Sequence, residues 1–297
     1  MTFTMDCISQ GRLSHTKELA AKSEESLPYV IHSDEECERL ELQAELANIE
    51  GYLRHLPTAG AQRVLDVGCG SGSMSRLIAR SFPDVQVVGI DICDQYLDYA
   101  RARARAEGIQ SHIRTRQRVC AAFCGCKLRS GVEQVPVAMA ARAEGGVVRV
   151  QAVAKSGGHV VSCDYVGCAV EHFPIDPELE KKVRDIMAKL VDVNIGRKVP
   201  AYMMGLGFRN VAVEIEIDTL FTVIGRIDKD RRQNLEIQFQ AMRPHLIKIL
   251  GSEANVTALV DRFLAHYDDP STCSFTSLPS PAARRDAGEG AGTPART

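Results

Sequence analysis

The sequence predicts an α/β fold in which helices cover both faces of a largely parallel sheet. Two observations carry this prediction. An apolar run at Val64–Val67 leads directly into Gly68, Gly70 and Gly72, a pattern that indicates a buried strand, a tight turn and a helix. A second apolar run then ends in an acid, Asp91, nineteen residues after Gly72. Strands that alternate with amphipathic helices in this way are typical of βαβ units.

Strand and helix patterns follow one another through the core. Apolar side chains recur at helical spacing in Ser73–Phe82 and in Asp94–Ala106, and the short apolar run Val85–Ile90 separates these two segments. Further along, Lys155–Asp164 is a glycine turn that leads into a strand, and Pro177–Val193 is an amphipathic helix. We therefore expect a sheet that continues on both sides of the glycine turn.

The segments outside this core have a different character. Glu35–Ile49 is predicted to be a helix, and Ala201–Ile217 reads as a helix end, a glycine turn and an alternating strand. The tail beyond Leu278 is rich in Pro, Gly, Ala and Arg, a composition that predicts disorder. We expect a helical lid at residues 1–55, the core at 56–218, a mostly helical substrate cover at 219–267 and a largely disordered tail at 268–297.

The composition indicates which binding partners and which cellular location to expect. The 297-residue chain has a formal net charge of −2, so no basic field indicates a nucleic-acid partner. It has no apolar run of about 18 residues and no charged-then-apolar pattern at its start. We therefore expect no membrane association and a cytoplasmic location. The ten cysteines are then predicted to be free thiols.

The spacing of the glycines indicates which ligand the turn binds. It reads G-x-G-x-G rather than the G-x-G-x-x-G of a dinucleotide site, and it lacks the lysine of a P-loop. Asp66 lies just before the turn, where a carboxylate would repel phosphate but suits a cationic amino-acid ligand. The stretch Val64–Met74 resembles motif I of the class I S-adenosylmethionine-dependent methyltransferases, and Asp91 matches the acid that binds ribose in that family.

This resemblance implies a Rossmann-like class I methyltransferase sheet with an N-terminal helical lid, a helical insert near the C-terminus and S-adenosyl-L-methionine as the cofactor. Leu27–Asp34, together with the helix after it, resembles the lid segment of small-molecule methyltransferases, and Tyr29, Arg39 and Gln43 are the positions of interest there. An ordinary amphipathic helix is the alternative. The layout implies a small-molecule acceptor, with secondary metabolism as the setting. The predicted cofactor-binding residues are Tyr29, Asp66, Gly68, Cys69, Gly70, Gly72, Asp91 and Ile92.

The catalytic side of the site is less defined by the sequence. His172 follows the predicted fifth strand and is a candidate base, because the pKa of free histidine lies near neutrality. A lone histidine in a loop is more often structural or exposed. Asp164 and Tyr165 are equally suited to shaping the acceptor pocket. Whether the acceptor atom is O, N, C or S stays open.

Residues Ile113–Ala154 do not fit the pattern that the family shows at its fourth strand. An acid followed by aromatics is expected there, yet small residues, Arg and Gly dominate and Phe123 is the one aromatic residue. Back-translation of Lys127–Ala143 with a shift of one nucleotide permits S-F-D-L-V-W-S-K-Y-L-L-Q-W-L-R-E-P. The codons of Met139 and Ala140 must give Trp in that frame. Our hypothesis is that two compensating frame changes, or a mis-set gene boundary, alter this segment.

Two alternative functions follow from the same segment. If it is genuine, a catalytically inactive relative that still binds the cofactor is favoured, because the fourth strand and its aromatics line the active cleft. A thiol-dependent metalloid methyltransferase would use Cys120, Cys124, Cys126 or Cys163. The C-x3-C-x-C spacing of the first three is not typical of zinc sites, so no metal site is predicted.

Overall fold

A computed structural model of the chain describes residues 34–47, 49–56, 63–91, 93–117, 135–141, 154–163, 172–190, 195–205, 208–217 and 219–285. The helices are α1 (Asp34–Leu46), α2 (Ser73–Ser81), α3 (Asp94–Ala106), α4 (Pro177–Leu190), α5 (Ile195–Gly205), α6 (Lys229–Leu250) and α7 (Glu253–Asp268), with a 3-10 helix at Ile49–His55. The strands are β1 (Arg63–Val67), β2 (Gln86–Asp91), β3 (Ile113–Gln117), β4 (Val135–Ala141), β5 (Ala154–Cys163), β6 (His172–Phe173), β7 (Phe208–Ile217), β8 (Val223–Ile224), β9 (Cys273–Ser274) and β10 (Ser277–Arg285).

The main sheet has the predicted α/β architecture. Within the described residues its seven strands run in the order β3-β2-β1-β4-β5-β10-β7. The first five pair in parallel, whereas β10 is antiparallel to both of its neighbours. Because the order reverses at β1, the carboxyl ends of β1 and β4 form the switch point at which open α/β sheets bind ligands.

Helices α2 and α3 pack against the half of the sheet that carries the glycine turn. Both contact β2 and β3, whereas α5 contacts β7 and β10 at the other end. The apolar stripe of α2 buries Leu77 and Ile78, and Ile78 joins Val64 and Val87 in one hydrophobic cluster. The periodicity that predicted this helix is therefore the periodicity that packs it on the sheet.

The lid helix and the C-terminal insert lie together. Helix α1 packs against α6 and also contacts α2 and α3. Helices α4, α6 and α7 form a second hydrophobic cluster, which Ala47 joins from the end of α1. A second, three-stranded sheet, β6-β9-β8, belongs to this part of the molecule. The hydroxyl of Thr219 also donates to the carbonyl of Leu46, at 2.6 Å, which ties the start of the insert to the end of the lid helix.

The expectation of a disordered tail is wrong for Ser277–Arg285, which forms β10 between β5 and β7. Proline lacks the N–H that a central strand must donate, so Pro279 and Pro281 argued against a strand. Both prolines pair with β7 alone, and the register with β5 begins only at Ala282. The prolines therefore lie where one edge of the strand has no described neighbour. Residues 286–297 lie outside the described residues.

Part of the atypical segment completes the sheet. Ile113–Gln117 forms β3 and pairs in parallel with β2, and Val135–Ala141 forms β4 between β1 and β5. Residues 118–134 and 142–153 lie outside the described residues, as do Phe123, Cys120, Cys124 and Cys126. Within the part of the chain that the structure describes, no helix combines the length and the apolarity needed to cross a membrane.

Candidate functional site

The three glycines form a tight turn between β1 and α2. Each has a positive φ, of 74° at Gly68, 52° at Gly70 and 82° at Gly72, which side chains with a Cβ rarely adopt. The N–H groups of Gly68 and Cys69 donate to the carbonyl of Ile90, at 2.8 and 3.1 Å. The turn is thereby joined to the end of β2, where the second predicted motif lies.

Gly72 also lets two helices approach each other. A Cβ added there would lie 2.8 Å from the Cβ of Ala100 in α3. Real carbon atoms do not approach that closely, so a side chain at position 72 would move α3 or the turn. The last glycine of the motif therefore sets the spacing between the turn and the helix that follows β2.

Asp91 ends β2 and faces the turn. Its Oδ2 accepts the N–H of Gly70 at 2.9 Å, and its Oδ1 accepts the N–H of Cys93 at 3.0 Å. A carboxylate has about four lone-pair positions, so each oxygen keeps a position for a further donor. Two backbone N–H groups thus orient a half-buried carboxylate that can still accept two hydroxyl groups. Ile92, also predicted to bind the cofactor, lies outside the described residues.

Asp66 lies behind the turn in β1 and is buried. The hydroxyl of Ser75 donates to its Oδ2 at 2.6 Å. Burial raises the pKa of Asp66 to about 6, the hydrogen bond from Ser75 opposes this shift, and the charge of Asp91 adds to it. A desolvated carboxylate gains most from a nearby positive charge, so this position suits the ammonium group of an amino-acid ligand.

Cys69 contributes its backbone to the turn, whereas its thiol is a packing group. The side chain is buried, and burial raises the pKa of this thiol well above its ordinary value. A Cβ added at Gly89 would lie 2.9 Å from its sulfur, so the thiol fills the space that Gly89 leaves. A buried thiol with a raised pKa is a poor nucleophile.

A network of charged groups that the sequence did not indicate holds the lid helix to the turn. Glu41 of α1 accepts the hydroxyl of Ser73 at 2.7 Å and forms an ion pair with Arg76 of α2. Arg76 is 4% exposed, and it also donates to the carbonyl of Ser71 and to Glu107, both at 2.8 Å. Because Glu41 and Arg76 are 35 positions apart, no local motif links them.

Arg39 and Gln43 form hydrogen bonds within the lid helix. Arg39 donates to both oxygens of Glu36, at 2.7 and 2.8 Å, and to Oε1 of Gln43 at 2.6 Å. Its side chain is 1% exposed, and its carbonyl accepts Nδ2 of Asn234 in α6 at 3.2 Å. The contact with Asn234 joins α1 to α6, whereas these hydrogen bonds of the guanidinium stay within α1 and the group lies away from solvent. Tyr29, the aromatic residue predicted to lie over the cofactor, is outside the described residues.

The structure brings His172 together with side chains of α7. Its ring makes edge contacts with Phe263, His266 and Tyr267, with centroids 5.4, 4.9 and 5.1 Å apart. Phe263 and Tyr267 belong to the hydrophobic core of the insert, and none of these ring contacts involves the glycine turn. His172 thus stays a prediction as a base. Asp164 and Tyr165 lie outside the described residues, and within the described ones no group of three His, Cys, Asp or Glu side chains is arranged to hold a metal ion.

The segment that contains the glycine turn and Asp91 matches a known family. Residues 64–126 match the family described as "Methyltransferase domain". Trans-aconitate 2-methyltransferase from Methylobacterium radiotolerans is 40% identical over 68 residues, which cover 23% of this chain and 24% of that protein. The chain therefore aligns with only about a quarter of the length of this curated relative.

Solved structures extend the similarity to the whole fold. Geranyl diphosphate C-methyltransferase from Streptomyces coelicolor, in complex with Mg²⁺, geranyl diphosphate and S-adenosyl-L-homocysteine, aligns with a TM-score of 0.50 and 19% identity over 87% of this chain and 86% of that chain. A putative sarcosine dimethylglycine methyltransferase from Galdieria sulphuraria aligns with a TM-score of 0.50 and 13% identity over 83% and 87%. The predicted class I S-adenosylmethionine-dependent methyltransferase fold is confirmed.

Proposed function

We propose that this chain transfers a methyl group from S-adenosyl-L-methionine to a small-molecule acceptor. The observation that carries the proposal is the carboxylate of Asp91, held at the end of β2 by the N–H groups of Gly70 and Cys93. The family match of residues 64–126 supports methyl transfer as the reaction. The fold supports it as well, since the turn lies at the carboxyl ends of parallel strands, where such sheets bind ligands.

Four described residues have a direct role in holding the cofactor. Asp91 accepts the two ribose hydroxyls at the lone pairs that its backbone donors leave, and the buried carboxylate of Asp66 favours the ammonium end of the ligand. Gly68 and Gly70 let the backbone approach the ligand without a Cβ between them. The proposed contacts of Ile92 and Tyr29 complete the set.

Methyl transfer requires little covalent chemistry from the protein itself. The bound cofactor supplies a methyl group that its sulfonium already activates, so the chain has to place the acceptor in line and exclude water. Helix α1 contacts α2, α3 and α6, so the lid and the insert are positioned to cover this end of the sheet. We propose a metabolite-sized acceptor under this cover, with secondary metabolism as its setting.

A transfer assay with methyl-labelled S-adenosyl-L-methionine and a panel of small hydroxyl, amine and thiol acceptors tests the proposal. We expect label in a small-molecule product with the full chain, and a large loss with Asp91→Ala. Asp84→Ala removes an exposed carboxylate from the turn before β2 and serves as the control. Equal transfer by Asp91→Ala would count against Asp91 as a cofactor-binding residue, whereas binding of the cofactor without transfer to any acceptor would count against an active methyltransferase.

A separate measurement tests whether His172 acts as the base. If His172 takes the proton of the acceptor, His172→Gln should lower kcat and abolish a rise of kcat near neutral pH, while the affinity for the cofactor stays the same. If His172 only packs against Phe263 and Tyr267, the variant should lower the free energy of unfolding and leave the pH profile of kcat unchanged.

One observation favours a second candidate, a relative that binds the cofactor without turnover. β4 reads V-P-V-A-M-A-A and ends without an acid or an aromatic at the edge of the sheet where chemistry takes place. Sequencing the transcript across codons 110–156 separates the two candidates. A restored frame with an acid and aromatics there supports the active enzyme, and the chain as written supports the inactive relative.

A thiol-dependent metalloid methyltransferase is the remaining alternative. It would require Cys120, Cys124, Cys126 or Cys163, of which Cys163 ends β5 beside Ala141. Arsenite-dependent transfer that is lost when these cysteines are replaced by serine would support it. Transfer that survives those replacements would exclude it.

A further inference from the structure

Exposed apolar side chains are concentrated on one face of the two sheets, where β9 leads into β10. Six of the seven large apolar side chains that are exposed in the described part of the chain belong to this face. They come from β6, β7, β8 and the link between β9 and β10, and each is between 45% and 82% exposed. We call the following set the apolar face: Phe173, Val213, Ile215, Ile217, Ile224 and Phe275.

Strand pairing gives the small sheet an apolar outer side. Cys273 of β9 pairs with Phe173 of β6 and with Ile224 of β8, so these three side chains form one row across the sheet. Alternation along the chain puts Phe275 on the side of Cys273. Thr276, between Phe275 and β10, is buried, as the same alternation requires. Phe275 therefore extends the row toward the main sheet.

The row continues along β7, the strand at the end of the main sheet. Ile217 pairs with Ser277, two positions after Phe275. Because cross-strand neighbours share a side of a sheet, as do residues two positions apart, Ile217 lies on the side of Phe275. Ile215 and Val213 follow on β7 at the same period of two. The apolar face thus extends from the small sheet to the edge of the main sheet.

The inner side of β9 is polar, which reverses the usual pattern of a strand that covers a core. Thr272, Ser274 and Thr276 are all buried. The hydroxyl of Ser274 donates to the carbonyl of Phe221 at 2.6 Å, and the hydroxyl of Thr272 donates to the carbonyl of His266 at 3.0 Å. The inner side is therefore satisfied by hydrogen bonds, and the apolar side of the strand faces outward, where a second layer would bury it.

The size of the apolar face indicates a protein partner. From their exposed fractions, its six side chains present roughly 600–700 Å² of apolar surface. The largest apolar patch on a typical monomer is about 300–600 Å². A standard protein–protein interface buries about 800 Å² on each partner, of which about 60% is apolar. The apolar face is thus large enough to supply the whole apolar part of such an interface.

We propose that the apolar face is the contact between two copies of this chain. Its side chains are uncharged, so two copies related by a two-fold axis bring no like charges together across it. Two sheets can stack face to face through such surfaces, about 10 Å apart. A lipid surface fits less well, because membrane-binding surfaces are rich in Lys, Arg and Trp, whereas this chain has a net charge of −2 and no Trp.

Sedimentation equilibrium of the full chain, between about 1 and 100 µM, tests the proposal. We expect a reversible equilibrium between monomer and dimer. Ile215→Lys and Ile224→Lys should each raise the dissociation constant roughly a hundredfold, because a charge replaces an apolar contact that a two-fold dimer contains twice. Both side chains are mostly exposed, so far-UV circular dichroism should show an unchanged fold. Ala212→Lys is the control, since Ala212 is exposed on the opposite side of β7 and should leave the constant unchanged.

Four results would overturn the proposal. The first is a monomer at every concentration, which shows that no second copy covers the face. The second is a dimer that fewer than both Ile variants weaken, because the contact then does not use the whole face. The third is equal weakening by Ala212→Lys, which indicates pairing through the open edge of β7. The fourth is a monomer that sediments with phosphatidylcholine vesicles unless Ile224 is replaced by Lys, which assigns the face to a lipid surface. None of these readouts depends on methyl transfer, so the dimer and the proposed activity are tested separately.

Discussion

Replacing Gly72 by alanine tests whether the turn is built around a close approach of two helices. The new Cβ would lie 2.8 Å from the Cβ and 3.6 Å from the Cα of Ala100, and neither atom belongs to a flexible side chain. The φ of 82° adds a penalty of roughly 1–2 kcal/mol for any residue with a Cβ. Overpacking in a filled interior adds about 1–3 kcal/mol, so Gly72→Ala should lower the free energy of unfolding by roughly 2–5 kcal/mol.

Gly108→Ala is the matched control in the same half of the molecule. Gly108 has a φ of 70°, and a Cβ added there would meet nothing within 4 Å. Both variants share the conformational penalty and the lower entropy of the unfolded chain, so their difference isolates the contact with Ala100. Unfolding in urea, followed by far-UV circular dichroism, gives both free energies. If Gly72→Ala costs no more than Gly108→Ala, the close packing of the turn against α3 is refuted.

Three further predictions concern the charges and the sheet. Burial raises the pKa of Asp66 to about 6, above its unfolded value of 3.8, so the folded chain binds the proton more tightly than the unfolded chain does. The free energy of unfolding should therefore fall by about 3 kcal/mol as pH rises from about 4 to above 6. Asp66→Asn should remove this fall in urea titrations across that range, and an unchanged slope would contradict the assignment. Glu41→Gln should cost about 1–3 kcal/mol because it weakens the pairing of buried Arg76, whereas Glu180→Gln, which breaks an exposed pair, should cost less than about 1 kcal/mol. Deletion after Thr276 should abolish cooperative unfolding because it removes β10 from between β5 and β7, and deletion after Arg285 should preserve it.

The elements around the glycine turn were predictable because local patterns determine them. The helix predicted at Asp94–Ala106 has those bounds in the structure, and the strand predicted at Val64–Val67 begins one residue earlier. Apolar periodicity, a glycine turn and an acid at a strand end are all local signals. The contacts that orient Asp91, with Gly70 and Cys93, were not predicted, and the contact with Gly70 spans 21 positions of the chain.

Contacts between distant segments were not predictable in this way. The Glu41–Arg76 pair and the Asn234–Arg39 contact join residues that only the tertiary fold brings together. Cys273–Leu278 resembles the start of the family's last strand, but the residues after Leu278 were predicted to be disordered because their composition argues against a strand. In the structure β10 continues to Arg285, because it pairs with β5 and β7. The packing of His172 depends likewise on α7, about 90 residues later in the chain.

Calorimetric titration of the full chain with S-adenosyl-L-methionine tests the proposed cofactor site most directly. One molecule should bind to each chain, and Asp91→Ala should weaken the affinity roughly a hundredfold, because two hydrogen bonds to a charged acceptor are lost. Asp84→Ala should bind as the unaltered chain does. Absence of binding by the unaltered chain, or equal affinity of the Asp91→Ala variant, would contradict the assignment of the turn and Asp91 as the cofactor site.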